Sequence, residues 1–216
     1  MAYNFDTIAR TYDRLNRVMT LGFDRYWRKR AVLGLQGNVL DVACGTGEMM
    51  VELAKQGCTV TGVDISEEML EIVRIKVNGE RLMAADAEHL PFKDESFDAV
   101  TCAFGVRNFV HSEQGISEML RVLKSGGRMV ILELATPDCP LVRPFYGFYT
   151  KKVIPWLGKT IAGSREAYVY LPESIEKFPK GEDFLDVVRR SSAGILECRQ
   201  RQFAFGVCRM YCVVKQ

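Results

Sequence analysis

One stretch constrains the fold more than any other: Val39-Leu40-Asp41-Val42-Ala43-Cys44-Gly45-Thr46-Gly47. Val39, Leu40 and Val42 read as a short buried strand, and Glu48-Met49-Met50-Val51-Glu52-Leu53-Ala54 as the helix after it. Between them, Gly45 and Gly47 permit a tight turn and let a ligand approach where a Cβ would stand in the way. The start of such a helix directs unpaired N–H groups over the loop. Asp64 closes the next strand, Val60-Thr61-Gly62-Val63, at the spacing of roughly 20 residues where a ribose-binding acid belongs in folds of this kind. The chain is organised around a nucleoside-type ligand.

The loop lacks the third glycine of a dinucleotide fingerprint, because Met50 stands there. A pyrophosphate needs that close backbone approach. Asp41 places a carboxylate just before the loop, a poor neighbour for phosphate and a good one for an amine or another cation. The pattern favours S-adenosylmethionine, an adenosine with a sulfonium and an amino acid, over NAD. A Gly-x-Gly alone would equally serve a plain strand–turn–helix; Asp64 at its spacing decides for the ligand. As a helix cap Asp64 would be redundant, since Ser66 supplies that cap itself. After a third strand, Asp86 suits an adenine amino group, and the Ala87 N–H suits the ring.

Phe104-Gly105-Val106-Arg107-Asn108 ends the fourth strand and faces the same crevice. Arg107 there can stabilise a developing oxyanion and lower a phenol's pKa; its plainer reading is a surface arginine paired with an acid. Asn108 can orient a substrate oxygen or a water. Tyr12 and Asp13 suit a lid contact as well as they suit a core tyrosine beside a solvated acid. Trp27-Arg28-Lys29-Arg30 reads as a solvated basic face. His89 and His111 have no evident acidic partner and receive no role.

The remaining pattern alternates strand and helix. Strands are expected at Thr59–Val63, Arg81–Ala84, Phe97–Phe104 and Arg128–Leu134, with helices opening at Ser66 and about Ser112. This implies an α/β fold, a doubly wound, mostly parallel seven-stranded sheet covered on both faces. The last two strands, Ile195–Phe203 and Val207–Val214, suggest an antiparallel edge pair. Around the core, 37–135, the division expected is an N-terminal helical lid at 1–36, a helical insertion at 136–180 and a closing helix with its strand pair at 181–216, all in one domain.

A chain of 216 residues, 48% hydrophobic and 26% charged, can bury such a core. Its net charge of +2 is too weak a bias to argue for a nucleic-acid partner, and none is expected. The seven cysteines are scattered without metal-like spacing beside only two histidines, which fits a reducing cytoplasm better than disulfides or zinc. The N-terminus does not read as a signal peptide, and no apolar run reaches transmembrane length.

Asp41-x-Ala43-Cys44-Gly45-Thr46-Gly47, Asp64, Asp86-Ala87 and Leu123-Lys124-Ser125-Gly126-Gly127 resemble the class I S-adenosylmethionine-dependent methyltransferases, whose fold is Rossmann-like. Phe5-Asp6-x-Ile8-Ala9-x-x-Tyr12-Asp13, Gly22 with Trp27-Arg28, Phe104-Gly105-x-Arg107-Asn108 and Tyr168-x-Tyr170-Leu171-Pro172-Glu173-Ser174 narrow the resemblance to the ubiquinone/menaquinone biosynthesis C-methyltransferases. The resemblance implies cofactor contacts at Thr46, Asp64, Asp86, Ala87 and the strand-four position Ala103, where relatives often carry serine. With the flanking Asp41, Ala43, Gly45 and Ile65, these complete the expected cofactor set. Arg107, Asn108 and Tyr12 form the expected catalytic set. The implied reaction is metal-free transfer of a methyl group to a ring carbon of a quinol. The substrate would be prenylated and met at the inner face of the membrane by a cytoplasmic, peripheral protein. The aromatic stretch Phe145–Trp156 reads first as core; the alternative is that part of it meets lipid, where Lys151, Lys152 and Lys159 would suit an interface. A homodimer is left open. An alternative keeps fold and cofactor but takes a soluble small molecule as acceptor.

Overall fold

The computed structural model describes residues 13, 16, 17, 19–77, 81–154 and 166–216, with the backbone alone for 166–169. Tyr12, the apolar positions Phe5, Ile8 and Leu15, and the segment Pro155-Trp156-Leu157 with Lys159 lie outside the described residues.

Seven strands form one sheet: β1 (Asn38–Val42), β2 (Thr59–Asp64), β3 (Arg81–Ala84), β4 (Phe97–Ala103), β5 (Leu123–Leu134), β6 (Ile195–Phe203) and β7 (Cys208–Lys215). Their order is β3-β2-β1-β4-β5-β7-β6. The first five strands run parallel, and β7 lies antiparallel between β5 and β6. The closing strands are thus the expected antiparallel pair. β5 starts earlier than Arg128, because Leu123 already pairs with Phe97 across an irregularity in the ladder.

Central strands of a parallel sheet bury both faces and read as apolar runs; Val39, Leu40 and Val42 are fully buried accordingly. One face is covered by α1 (Phe23–Ala31), α2 (Glu48–Lys55) and α3 (Glu67–Lys76) through Trp27, Met50, Leu53, Leu70 and Val73. The other is covered by α4 (Ser112–Val122) and, after the insertion, α7 (Glu182–Ser191), through Ile116, Met119, Phe184 and Val188. Met50, where a dinucleotide fold would have glycine, fits because β2 offers Gly62: a Cβ there would stand 2.5 Å from the Met50 sulfur. Ser66 caps α3 as expected, its hydroxyl accepting from the Met69 N–H at 3.2 Å, a contact worth about 1 kcal/mol.

Between β5 and α7 lie α5 (Arg143–Phe148), which runs on through a wider turn at Tyr149–Val153, and α6 (Glu166–Lys177). α6 packs on the short turn Val106–Asn108 that follows β4 and on 149–153. The strand order reverses between β1 and β4, and in open α/β sheets ligands bind outside the carboxyl ends of the strands at that point.

The solvated basic face expected at 27–30 is not what forms. Trp27 and Arg28 are 3% and 6% exposed. Phe23, Trp27 and Ala31 lie on one stripe of α1, and Arg28 donates through one nitrogen to Asp24, one turn away, at 2.6 Å. No helix among the described residues is long and apolar enough to cross a membrane.

Candidate active site at the carboxyl ends of β1 and β4

A cavity of about 420 Å³ opens where the strand order reverses. Its wall includes Asp41, Ala43, Gly45, Thr46, Asp64, Ile65, Asp86, Ala87, Ala103 and Asn108, so every cofactor position expected from the sequence meets there.

The backbone is strained at both lips. Ala43 after β1 and Phe104 after β4 have φ of 51° and 60°, a region that non-glycine residues enter at a cost of about 1–3 kcal/mol. The surroundings hold them there. A Cβ on Gly105 would stand 2.7 Å from the Ala43 Cβ, and a Cβ on Gly47 (φ 79°) would stand 2.8 Å from Val73. The loop keeps its shape only with glycine at these positions.

Asp41 is 1% exposed. Thr101 donates to its Oδ1 at 2.7 Å, while Oδ2 is buried and accepts from nothing among the described residues. Burial raises its pKa to about 7 against the pull of Thr101 and Arg28. Asp64 is tied into the loop: Gly45 N–H donates to Oδ2 at 2.7 Å and Ser66 N–H to Oδ1 at 2.9 Å. It thus braces the loop and lines the cavity at once. Ile65, next to it, is 78% exposed on the cavity rim. Asp86 Oδ1 accepts from Glu88 N–H at 2.9 Å.

Asp13 reaches the same loop. It accepts from the Thr46 hydroxyl and from Lys76, and Lys76 also donates to the Thr46 carbonyl at 3.0 Å and to Glu48 at 3.1 Å. Asp13 is thus in contact with the glycine loop and is not a solvated acid.

Arg107 stands behind the cavity and is absent from its wall. Its guanidinium donates to Glu133 at 2.5 Å and to the Phe104 carbonyl at 2.7 Å; the two charged side chains are 4% and 2% exposed. The arginine does pair with an acid, but deep inside. Asn108 does line the cavity; its amide donates to the Phe104 carbonyl at 3.3 Å and its oxygen accepts from the Tyr170 hydroxyl at 3.1 Å. Burial pushes Tyr146 up to about 12 and raises Tyr170, with the charge of Arg107 pulling both the other way. Both phenols therefore stay protonated at neutral pH.

The histidines do have acidic neighbours, contrary to expectation. Glu88 accepts the His111 N–H at 2.8 Å and lies 2.9 Å from its Nδ1; His89 Nδ1 is 3.5 Å from Asp86. Glu88 meets His111 across 23 residues, a pairing with no spacing signal, whereas Asp86 and His89 are only three residues apart and that pair was open to reading. Arg28, Glu133 and Tyr170 were also missed. The Asp24–Arg28 spacing, the lone charge in Val130-Ile131-Leu132-Glu133 and the position of Tyr170 in a distinctive segment were the available signals.

S-adenosylmethionine fits this set of residues: an orphaned buried carboxylate oxygen for its ammonium, a carboxylate for its ribose and an acidic wall around its positive charge. Known proteins agree. A demethylmenaquinone methyltransferase of Bacteroides fragilis is 42% identical over 98% of this chain and 90% of its own length. A ubiquinone/menaquinone biosynthesis C-methyltransferase of Geobacter sulfurreducens is 43% identical over 96% and 85%. Among solved structures, an S-adenosylmethionine-dependent methyltransferase of Thermotoga maritima shares the fold, with a TM-score of 0.71 at 23% identity over 98% of each chain. The profile of one family matches residues 2–215, essentially the whole sequence, and the chain belongs to that family, the ubiE/COQ5 methyltransferases.

Proposed function

We propose that this protein uses S-adenosylmethionine to methylate a ring carbon of a quinol of the demethylmenaquinol type. Family membership supports the reaction. The structural observation that carries the cofactor is the buried, unpartnered Asp41 Oδ2 at a cavity lined by five carboxylates, Asp41, Glu48, Asp64, Asp86 and Glu88. Such a wall favours a cationic ligand and disfavours a pyrophosphate. When bound, S-adenosylmethionine supplies a methyl group made electrophilic by the sulfonium.

The residues of the chain do the rest. Asp64, braced by Gly45 and Ser66, accepts from the ribose hydroxyls; Asp86 and Ala87 take the adenine edge. A quinol hydroxyl, with an ordinary phenol pKa of about 10, must lose its proton for the ring to become nucleophilic. Asn108 faces the cavity to meet that oxygen. Arg107 supports it from behind: both side chains hold the Phe104 carbonyl, and the field of the guanidinium, partly offset by Glu133, favours the phenolate. Tyr146 and Tyr170 are too weakly acidic to serve as the base. Tyr12 keeps its place in the catalytic set by resemblance. Asp13 acts as a contact on the glycine loop, whereas 23–36 belongs to the core rather than to the lid expected at 1–36.

A prenylated quinol would be drawn from a lipid surface. Leu141, Phe145 and Phe148 are 80%, 77% and 66% exposed, and Lys151 and Lys152 are exposed near them; apolar anchors beside cations suit an anionic bilayer.

The test is incubation with S-adenosylmethionine and a reduced short-tail demethylmenaquinone. Release of S-adenosylhomocysteine with a product one methyl heavier is expected. Turnover confined to soluble phenols would replace the acceptor assignment with the soluble alternative.

A further inference from the structure

An amino-acid ligand carries a carboxylate as well as an ammonium, and the cavity wall is short of cations. Among the described residues Arg28 is the only lysine or arginine in it. Its guanidinium is held in place before any ligand arrives. Nη1 donates to Asp24 at 2.6 Å; Asp24, 4% exposed, is itself fixed by the Thr20 hydroxyl at 2.9 Å. The guanidinium carbon lies 5.0 Å from the centre of the Phe104 ring, within range for a cation–π contact, and Phe104 lines the same cavity. An arginine has five N–H donors, and Asp24 accepts the only hydrogen bond that the Arg28 side chain makes among the described residues.

Lys76, the other cation near the glycine loop, is already spent. An ammonium has three donors, and Asp13, Glu48 and the Thr46 carbonyl accept from it. Arg28 and the unpartnered Asp41 Oδ2 thus form a complementary pair on one wall, a fixed guanidinium near a carboxylate whose second oxygen lacks a donor.

We infer that Arg28 binds the α-carboxylate of the cofactor's amino acid, with Asp41 taking the α-ammonium, so that the site reads an intact zwitterion and not merely an adenosine. This rests on the cofactor reading above and adds a binding residue to it. Planar two-point recognition of a carboxylate is what a guanidinium does and an ammonium does not.

The test is a cycle between residue and ligand group, read by calorimetry. S-adenosylhomocysteine is compared with its decarboxylated analogue, which keeps the amine, on the parent protein and on Arg28→Gln. The parent should bind S-adenosylhomocysteine at least about tenfold more tightly than the analogue. Arg28→Gln should lose about 10- to 100-fold for S-adenosylhomocysteine and less than about threefold for the analogue. Arg28→Lys, which keeps the charge without the planar fork, should recover only part of the loss. Equal losses for both ligands would reduce Arg28 to shaping the cavity and overturn the inference, while leaving the cofactor reading intact. Should Arg28→Gln not fold, equal affinity of the parent for the two ligands would overturn it alone. A parent that binds neither ligand would overturn the cofactor reading, and this inference with it.

Discussion

Between the turn after β4 and the end of β5, both oxygens of a buried carboxylate are bonded in the free protein. Glu133 receives Arg107 Nη1 and the Leu134 N–H on one oxygen, and the Arg107 backbone N–H on the other at 3.3 Å. At the end of β1, one strand away, Asp41 is as deeply buried but has one oxygen satisfied and one bare. Both carboxylates lie almost wholly out of water, at 1% exposure. The difference is in what they wait for. The Glu133 site is satisfied by the chain's own residues, whereas one oxygen of Asp41 is left without a donor among the described residues. A buried charge costs several kcal/mol unless something pairs with it, so the ligand, not the fold, is left to complete the β1 site.

The sharpest way to break this comparison is to remove one partner on each side. Glu133→Ala strands the Arg107 guanidinium and should destabilise the protein by about 3–5 kcal/mol, read by urea unfolding. Asp41→Asn exchanges one unpaired buried group for another and should change the stability of the free protein by under about 1 kcal/mol. Comparable losses for the two would show that Asp41 is a structural member like Glu133. Next in size is catalysis. Arg107→Ala should reduce turnover by about 100-fold, in the range of lost oxyanion support, with S-adenosylmethionine affinity within about threefold. Unchanged turnover would remove Arg107 from the reaction.

The two sides also differ in how far they could be read from the sequence. Asp41, Gly45, Gly47 and Asp64 sit on consecutive elements, and their job follows from strand, turn and spacing; the alternation that places β1 to β5 is equally local. Arg107 finds Glu133 across 26 residues and Asn108 finds Tyr170 across 62, pairings that only the closed sheet and the docked insertion create. Arg28 was misread for a related reason. Its charge suggests solvent, and only the packing of α1 on β-strand residues turns it inward. The expected start of β5 at Arg128 missed the single pair at Leu123, because Lys124-Ser125-Gly126-Gly127 between them bulges out of the ladder, with Gly126 at φ 74°, and the continuous pairing does begin at Arg128.

Asp64 tests the cofactor side alone. Its carboxylate holds Gly45 and Ser66 as well as facing the cavity, so Asp64→Ala should weaken S-adenosylhomocysteine binding by about 10- to 100-fold, in line with losing hydrogen bonds to a charged group. Asp64→Asn should lose less, since an amide keeps one acceptor oxygen. Calorimetry showing parent-like affinity for the alanine variant would refute the ribose assignment.

The smallest effect is the most specific to the bare oxygen of Asp41. With its pKa raised from 3.8 to about 7, the folded free protein holds a proton on Asp41 that the unfolded chain has already released between those values. Stability from this group is therefore greatest below about pH 4 and falls as pH rises towards 7, by at most about 1.4 kcal/mol per unit. A bound ammonium favours the ionised form and so must displace that proton. Affinity for S-adenosylhomocysteine should then drop as pH falls below 7, by up to about tenfold per unit, and binding at pH 6 should release protons into the buffer. In Asp41→Asn the slope should vanish. Calorimetry in buffers of different ionisation enthalpy reads the proton count directly: a count of zero at pH 6 in the parent would mean that no cation meets this carboxylate.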